Sequence, residues 1–173
     1  MAMLLIAGCS STPEKRPGGY YRDDGPGDSA KLASIPDAVP RSEPLHRWAN
    51  RPYEVMGRKY VPLTRVGVYT QRGTASWYGK RFHGNPTSSG EKYDMYKMTA
   101  AHPILPIPSY VRVTNVANRR SVVLRVNDRG PFLAGRAIDL SYAAAHKLGY
   151  IAQGSAQVWI EQIVPGGGPL AQR

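Results

Sequence analysis

Short runs in which apolar and polar residues alternate recur through the second half of the chain, each stopped by Gly, Pro or Asn. Residues 73–78 (GTASWY) read as a first strand and 98–101 as a short one. Residues 110–116 set Val111 and Val113 against Arg112 and Thr114, then turn at Asn118-Arg119-Arg120 into 121–127, which predicts a hairpin. Residues 136–140 and 156–164 supply two more strands. Between them lies YAAAHKLGY, a helix of about two turns, with Ser141 as N-cap and Gly149 as its stop. The pattern predicts a compact, mainly β domain over 73–165 with one helix, followed by a flexible tail at 166–173.

The remainder lacks this periodicity. Residues 10–50 are dense in Pro, Gly, Ser, Asp and Arg, with too few clustered apolar side chains to offset ordering entropy, and read as a flexible linker. Residues 51–72 place Tyr53, Val55 and Tyr60 around Met56-Gly57-Arg58, which suggests an extended arm or short hairpin against the domain. Residues 1–8 are apolar, too short to span a bilayer, and end in small residues before Cys9, as the tail of a signal peptide does.

Cys9 is the only cysteine, which excludes an intrachain disulfide and a cysteine-based zinc site. The four histidines have no i, i+4 pair, so neither a metal nor any other cofactor is expected. The formal net charge is +11, with 11 basic against 7 acidic side chains before Gly73 and 12 against 5 from Gly73 onward. Such a surface suits a polyanion: nucleic acid, anionic lipid or an acidic wall polymer. No RRM, zinc-finger or helix-turn-helix pattern accompanies it, and nucleic acid is not an expected partner.

Chemistry concentrates in two places. Asp128 stands where a strand ends in Asn127-Asp128-Arg129-Gly130-Pro131, a position from which a rigid scaffold can hold a carboxyl over a groove. Upstream, the long loop 79–91 closes in Thr87-Ser88-Ser89-Gly90-Glu91 and is followed by His102, which marks one wall of that groove. Asp139, just before the helix, is read as structural, and His46 and His146 as surface residues. Arg129 is expected to point toward substrate or solvent, because a guanidinium turned onto Asp128 would oppose protonation of an acid.

Five motifs in order, Ser76-Trp77-Tyr78-Gly79, Ser89-Gly90-Glu91, Thr99-Ala100-Ala101-His102, Val126 to Pro131 and Ile138-Asp139-Leu140-Ser141, closely resemble the rare lipoprotein A family. The resemblance implies a six-stranded double-psi β-barrel, shared with expansins, barwin-like proteins and the barrel domain of membrane-bound lytic transglycosylase A. It implies endolytic lytic transglycosylase activity on peptidoglycan, with a preference for glycan strands lacking stem peptides. Carried onto this chain, Asp128 and Glu91 take the catalytic carboxylate positions, and His102 that of the groove histidine. Tyr78, His83, Ser89, Asn127 and Arg129 are candidates for binding substrate. The chemistry agrees: the departing oxygen needs a proton, and a base must then take one from the MurNAc C6 hydroxyl as it attacks C1, leaving a 1,6-anhydro end.

Ile6-Ala7-Gly8-Cys9 resembles a bacterial lipobox, which would make Cys9 a lipidated residue and the membrane a partner through that anchor. Ser10 would then favour sorting to the outer membrane, facing the periplasm. Many family members continue into a SPOR domain that directs them to the septum; a barrel without that domain is expected here, as a monomer. The alternative from another class is a non-catalytic peptidoglycan-binding envelope lipoprotein.

Overall fold

The computed structural model describes residues 32–166. The expected signal-peptide remnant with Cys9, the first part of the linker (10–31) and the tail from 167 lie outside the described residues. A two-stranded hairpin comes first, β1 (Tyr53–Val55) with β2 (Arg58–Tyr60). Six strands then close into a barrel: β3 (Thr70–Tyr78), β4 (Thr99–Ala101), β5 (Ser109–Asn115), β6 (Ser121–Asp128), β7 (Arg136–Ser141) and β8 (Ser155–Ile163). Around the barrel the order is β3-β7-β4-β6-β5-β8. Two pairs, β3 with β7 and β4 with β6, are parallel, and the other four are antiparallel. This is the expected double-psi β-barrel.

Alternation explains the interior. Val111 and Val113 of β5, Val122, Leu124 and Val126 of β6, and Val158 and Ile160 of β8 are all buried, one from every second position. Each such side chain contributes about 1.5–3 kcal/mol by leaving water. The helix α1 (Tyr142–Leu148) packs on the barrel through Ala143, Ala144, Ala145 and Leu148, small side chains that let its backbone come close. Ser141 accepts a hydrogen bond from the Ala144 N–H at 3.3 Å, and Gly149 ends the helix in the left-handed region. Trp77 is fully buried, edge-on to Tyr142 at 5.2 Å.

Both parallel pairs contain one unmatched residue. In β3–β7, Thr74 pairs with Arg136 but Ala75 with Ile138, so Ala137 bulges. In β4–β6, Ala100 pairs with Val126 but Ala101 with Asp128, so Asn127 bulges. Gly73 accommodates the first bulge: a Cβ there would lie 2.5 Å from the Ala137 Cβ.

The expected flexible linker is corrected for residues 32–50, which pack along the barrel as a strap. Leu32 enters the core. Asp37 accepts the Val123 N–H at 2.9 Å and pairs with Lys147 of α1 at 2.6 Å, while the Ala38 N–H reaches the Val123 carbonyl at 3.0 Å. Further along, the His46 N–H reaches the Ile107 carbonyl at 2.7 Å, and Asn50 exchanges side-chain bonds with the Ile107 backbone in both directions. The strap is held by backbone and ionic partners that the barrel supplies, so its low hydrophobicity left no periodic signature.

Replacing Gly73 by Ala is expected to lower stability by about 1–3 kcal/mol through overpacking against Ala137, read as a reduced denaturant midpoint at unchanged m-value.

Candidate active site

The register brings two carboxyls into one row. Ala101 pairs with Asp128 of β6 on one side and with Asp139 of β7 on the other, and Asp139 pairs in turn with Ser76 of β3. Residues directly opposite in neighbouring strands share a face, and two strand spacings put the Asp128 and Asp139 Cα atoms about 10 Å apart. Between them stands only the methyl group of Ala101. The result is an open cleft of about 360 Å³, with both carboxyls, Ala101 and Tyr78 in its lining and Phe82 and Leu133 at its rim.

Asp128 is tightly held at one oxygen. Its Oδ1 accepts from the Ser88 N–H at 2.8 Å, the Ser88 hydroxyl at 2.7 Å and the Arg129 N–H at 2.8 Å. Three donors occupy that atom, so exchange of a proton with a bound molecule falls to Oδ2. Gly130 follows at φ 121°, a conformation glycine adopts at little cost, and turns the chain away from the carboxyl.

Asp139, read from the sequence as structural, lies in the lining of the cleft. The Ser76 hydroxyl donates to its Oδ1, and the carboxyl lines the same cleft as Asp128. Burial pushes its pKa up, the Asp128 charge pushes the same way, and Ser76 and Arg136 oppose both. Ser76 and Asp139 lie 63 residues apart, so only the pairing of their strands reveals the contact.

Glu91 is placed differently. Arg125 Nη1 donates to both Glu91 oxygens, at 2.7 and 2.9 Å, and Asn127 Nδ2 to Oε2 at 3.0 Å. These bonds outweigh a desolvation penalty that is the largest single influence, leaving the Glu91 pKa below its usual value. Glu91 is thus a fixed anion that closes the 87–91 turn, where its carbonyl accepts the Thr87 N–H at 2.7 Å. The turn ties to β6 at three points: Ser88 holds Asp128, the Ser89 N–H holds the Asn127 carbonyl, and Glu91 holds Asn127 and Arg125.

Two of the expected site residues spend their polar atoms on partners within the protein, although Arg129 also lines the cleft. His102 is buried; its Nδ1 accepts the Ile104 and Leu105 N–H groups at 3.2 and 3.0 Å, which puts the proton on Nε2, facing Gln71 Oε1 at 3.2 Å. Burial, aided by the Arg129 charge, lowers its pKa to about 3, so the ring is neutral and braces the 102–105 backbone. Arg129 points inward: Nε donates to the Ala49 carbonyl at 3.0 Å, Nη1 to those of His102 and Leu105 at 3.0 and 2.6 Å, and Nη2 to Asn50 Oδ1 at 2.9 Å.

The other candidates divide. Tyr78 lines the cleft, with its ring stacked on Tyr93 at 4.0 Å. His83 faces away; its Nδ1 accepts the Met95 N–H at 3.2 Å, and its ring meets Tyr96. The neighbouring Phe82 takes the rim position instead. The Ser89 hydroxyl is 3.0 Å from that of Thr87, and its N–H reaches the Asn127 carbonyl at 3.2 Å, so Ser89 shapes the turn. Asn127 is buried and spends its amide on Glu91. Neither His46 nor His146 is a plain surface residue: His46 caps the 46–49 turn, and His146 is half-buried.

The depressed His102 pKa has a measurable consequence. Between pH 6.5, the ordinary histidine value, and about pH 3 the unfolded chain binds a proton that the folded one does not, so stability falls as pH drops through that window. His102→Gln is expected to flatten this fall by an amount on the order of a few kcal/mol, measured as denaturation free energy against pH for both proteins.

The family profile described as lytic transglycolase matches residues 70–160. The "Endolytic peptidoglycan transglycosylase RlpA" of Neisseria meningitidis serogroup A is 61% identical over 137 residues, 79% of this chain and 57% of that protein. The protein of the same name from Pseudomonas aeruginosa is 48% identical over 177 residues, 95% of this chain and 52% of its own length. The chain therefore spans little more than half the length of these relatives. Among solved structures, a Streptomyces papain inhibitor superposes with a TM-score of 0.46 at 22% identity, covering 57% of this chain and 97% of its own. With the profile running from the first residue of β3 into β8, across more than half of the sequence, the chain belongs to the lytic transglycolase family.

Proposed function

We propose that this protein is an endolytic peptidoglycan transglycosylase that cleaves the bond between MurNAc and GlcNAc. The observation that carries the reading is the pair of carboxyls facing one cleft across Ala101, one of them pushed toward its protonated form by burial. Burial first, and then the Asp128 charge, favour the protonated form of Asp139. The pair gives its proton to the departing GlcNAc O4 as the C1–O4 bond breaks. The MurNAc C6 oxygen then bonds to C1, and its hydroxyl proton returns to the pair through Asp128 Oδ2. The products are a GlcNAc hydroxyl end and a 1,6-anhydro-MurNAc end; no water is consumed and the enzyme is restored. The names of the relatives support the same activity.

In this reading Glu91 and His102 position rather than react. Glu91 sets the turn that carries Ser88 against Asp128, and His102 sets the carbonyls that hold Arg129. Phe82, 50% exposed, and Leu133, 55% exposed, offer apolar faces to sugar rings at the rim. Arg81 and Arg136 give the cleft a positive wall, which suits strands stripped of stem peptides, because each MurNAc then presents a lactyl carboxylate. The protein would work as a monomer in the cell envelope, anchored at the periplasmic side of the outer membrane through Cys9.

The test is digestion of sacculi with and without stem peptides by the full chain and by Asp128→Asn, Asp139→Asn and Glu91→Gln, with soluble products identified by mass spectrometry. Anhydro-MurNAc ends are expected from the wild type, more from stripped sacculi, with a loss of roughly 100- to 10,000-fold in each aspartate variant. Glu91→Gln is expected to lower the rate by unpinning the turn. Reducing ends would make the protein a hydrolase, and wall binding without any release would leave a binding module.

A further inference from the structure

The strap precedes the segment shared with the family profile, yet it grips both arginines that flank Asn127-Asp128 on β6. Glu43 takes Arg125 in a two-pronged bond, Nε to Oε1 at 2.9 Å and Nη2 to Oε2 at 3.0 Å, leaving Nη1 for Glu91. Tyr110 adds a hydroxyl bond to Glu43 at 2.5 Å. At the other end, the turn 46–50 offers Arg129 the Ala49 carbonyl and Asn50 Oδ1. Asn50 pins that turn, since its amide also donates to the His46 and Ile107 carbonyls at 2.8 and 2.7 Å and its Oδ1 accepts the Ile107 N–H at 2.8 Å.

Arg129 adjoins Asp128 in sequence, and a released guanidinium has a carboxylate within reach. An arginine paired with an aspartate favours the charged carboxylate, which would oppose the passage of a proton through that group. We infer that strap residues Glu43 and Asn50 are positioning residues of the active site, Asn50 holding the Arg129 head away from Asp128 and Glu43 holding the Arg125 head onto Glu91. The catalytic consequence rests on the proposed transglycosylase reading; the positional claim does not.

Electrostatics agrees with the geometry. Arg129 sits among four neutral carbonyl oxygens, three of the backbone and one of the Asn50 amide, and burial draws its pKa down to about 10, whereas Glu43 falls to about 2 beside Arg125. Groups facing Asp128 from the other elements are Tyr53 on β1, Tyr78 on β3, Arg81 on the turn after β3, and Arg136 and Asp139 on β7. The double variant Asn50→Ala/Arg129→Gln separates the effect of Arg129 from theirs.

The test is a carboxyl-carbon NMR titration of Asp128 in the full chain, beside the pH profile of kcat. Asn50→Ala is expected to move the Asp128 midpoint down by about one unit and the alkaline limb of the profile with it, leaving KM unchanged. In Asn50→Ala/Arg129→Gln the midpoint is expected to return. Glu43→Gln is expected to broaden the Glu91 carboxyl signal and lower kcat without moving the Asp128 midpoint. An unmoved Asp128 midpoint in Asn50→Ala, or a shift that persists without Arg129, would overturn the inference. A wild type that releases no anhydro ends while the midpoint still shifts would overturn the transglycosylase reading alone.

Discussion

One extra residue in each parallel strand pair sets the geometry on which the site depends. Side chains alternate along a strand, so a register shift of one exchanges the two faces. Without Asn127 as an unmatched residue, Ala101 would face the asparagine, and the Asp128 carboxyl would leave the cleft. Without Ala137, Ser76 would face Ile138, and Asp139 would pair with the buried Trp77. The two bulges act in different strands and converge on one row, Ser76, Asp139, Ala101 and Asp128. The first is also why position 73 carries no side chain: the β3 backbone passes too close to Ala137 for one.

That row explains the division of labour among charged groups. Asp128 has one oxygen saturated by donors and one turned to the cleft, so it is fixed in place without being closed to a ligand. Asp139 meets its environment mainly as lost water, which favours the neutral carboxyl. Glu91 also loses water, but its bonds to Asn127 and Arg125 together outweigh that loss and favour the anion. Asp139 and Glu91 are thus driven in opposite directions, each by the groups beside it.

Local features were legible in the chain because they depend on nearby residues. The alternation of residues 110–127, the Ser141 cap and the Gly149 stop each specify structure over a few positions, and the motif order then supplied the closure of the barrel. Asp128 could be singled out because a strand end before Gly-Pro is visible in sequence. Asp139 could not, since its importance comes from pairing with Ser76 and Ala101, residues 63 and 38 positions away. Arg129 was read as outward-facing because the carbonyl cage that satisfies it is assembled from Ala49, His102 and Leu105, and backbone oxygens leave no mark on composition. The strap escaped for a similar reason: its ties are Asp37 to Lys147, Glu43 to Arg125 and Asn50 to Ile107, single polar contacts without a period.

The fork on Arg125 is unevenly exposed. The Glu43 side chain is 17% accessible and the Glu91 side chain 45%. Dissolved ions screen charges that water can reach far more than charges enclosed by protein, with a Debye length of about 8 Å at physiological ionic strength. Rising ionic strength therefore loosens the outer prong first, and the 87–91 turn gains freedom while the strap keeps its hold. One guanidinium joins a joint that ignores the surrounding electrolyte to one that responds to it, so the ionic composition of the medium acts on the wall of the cleft and leaves the barrel beneath it unchanged.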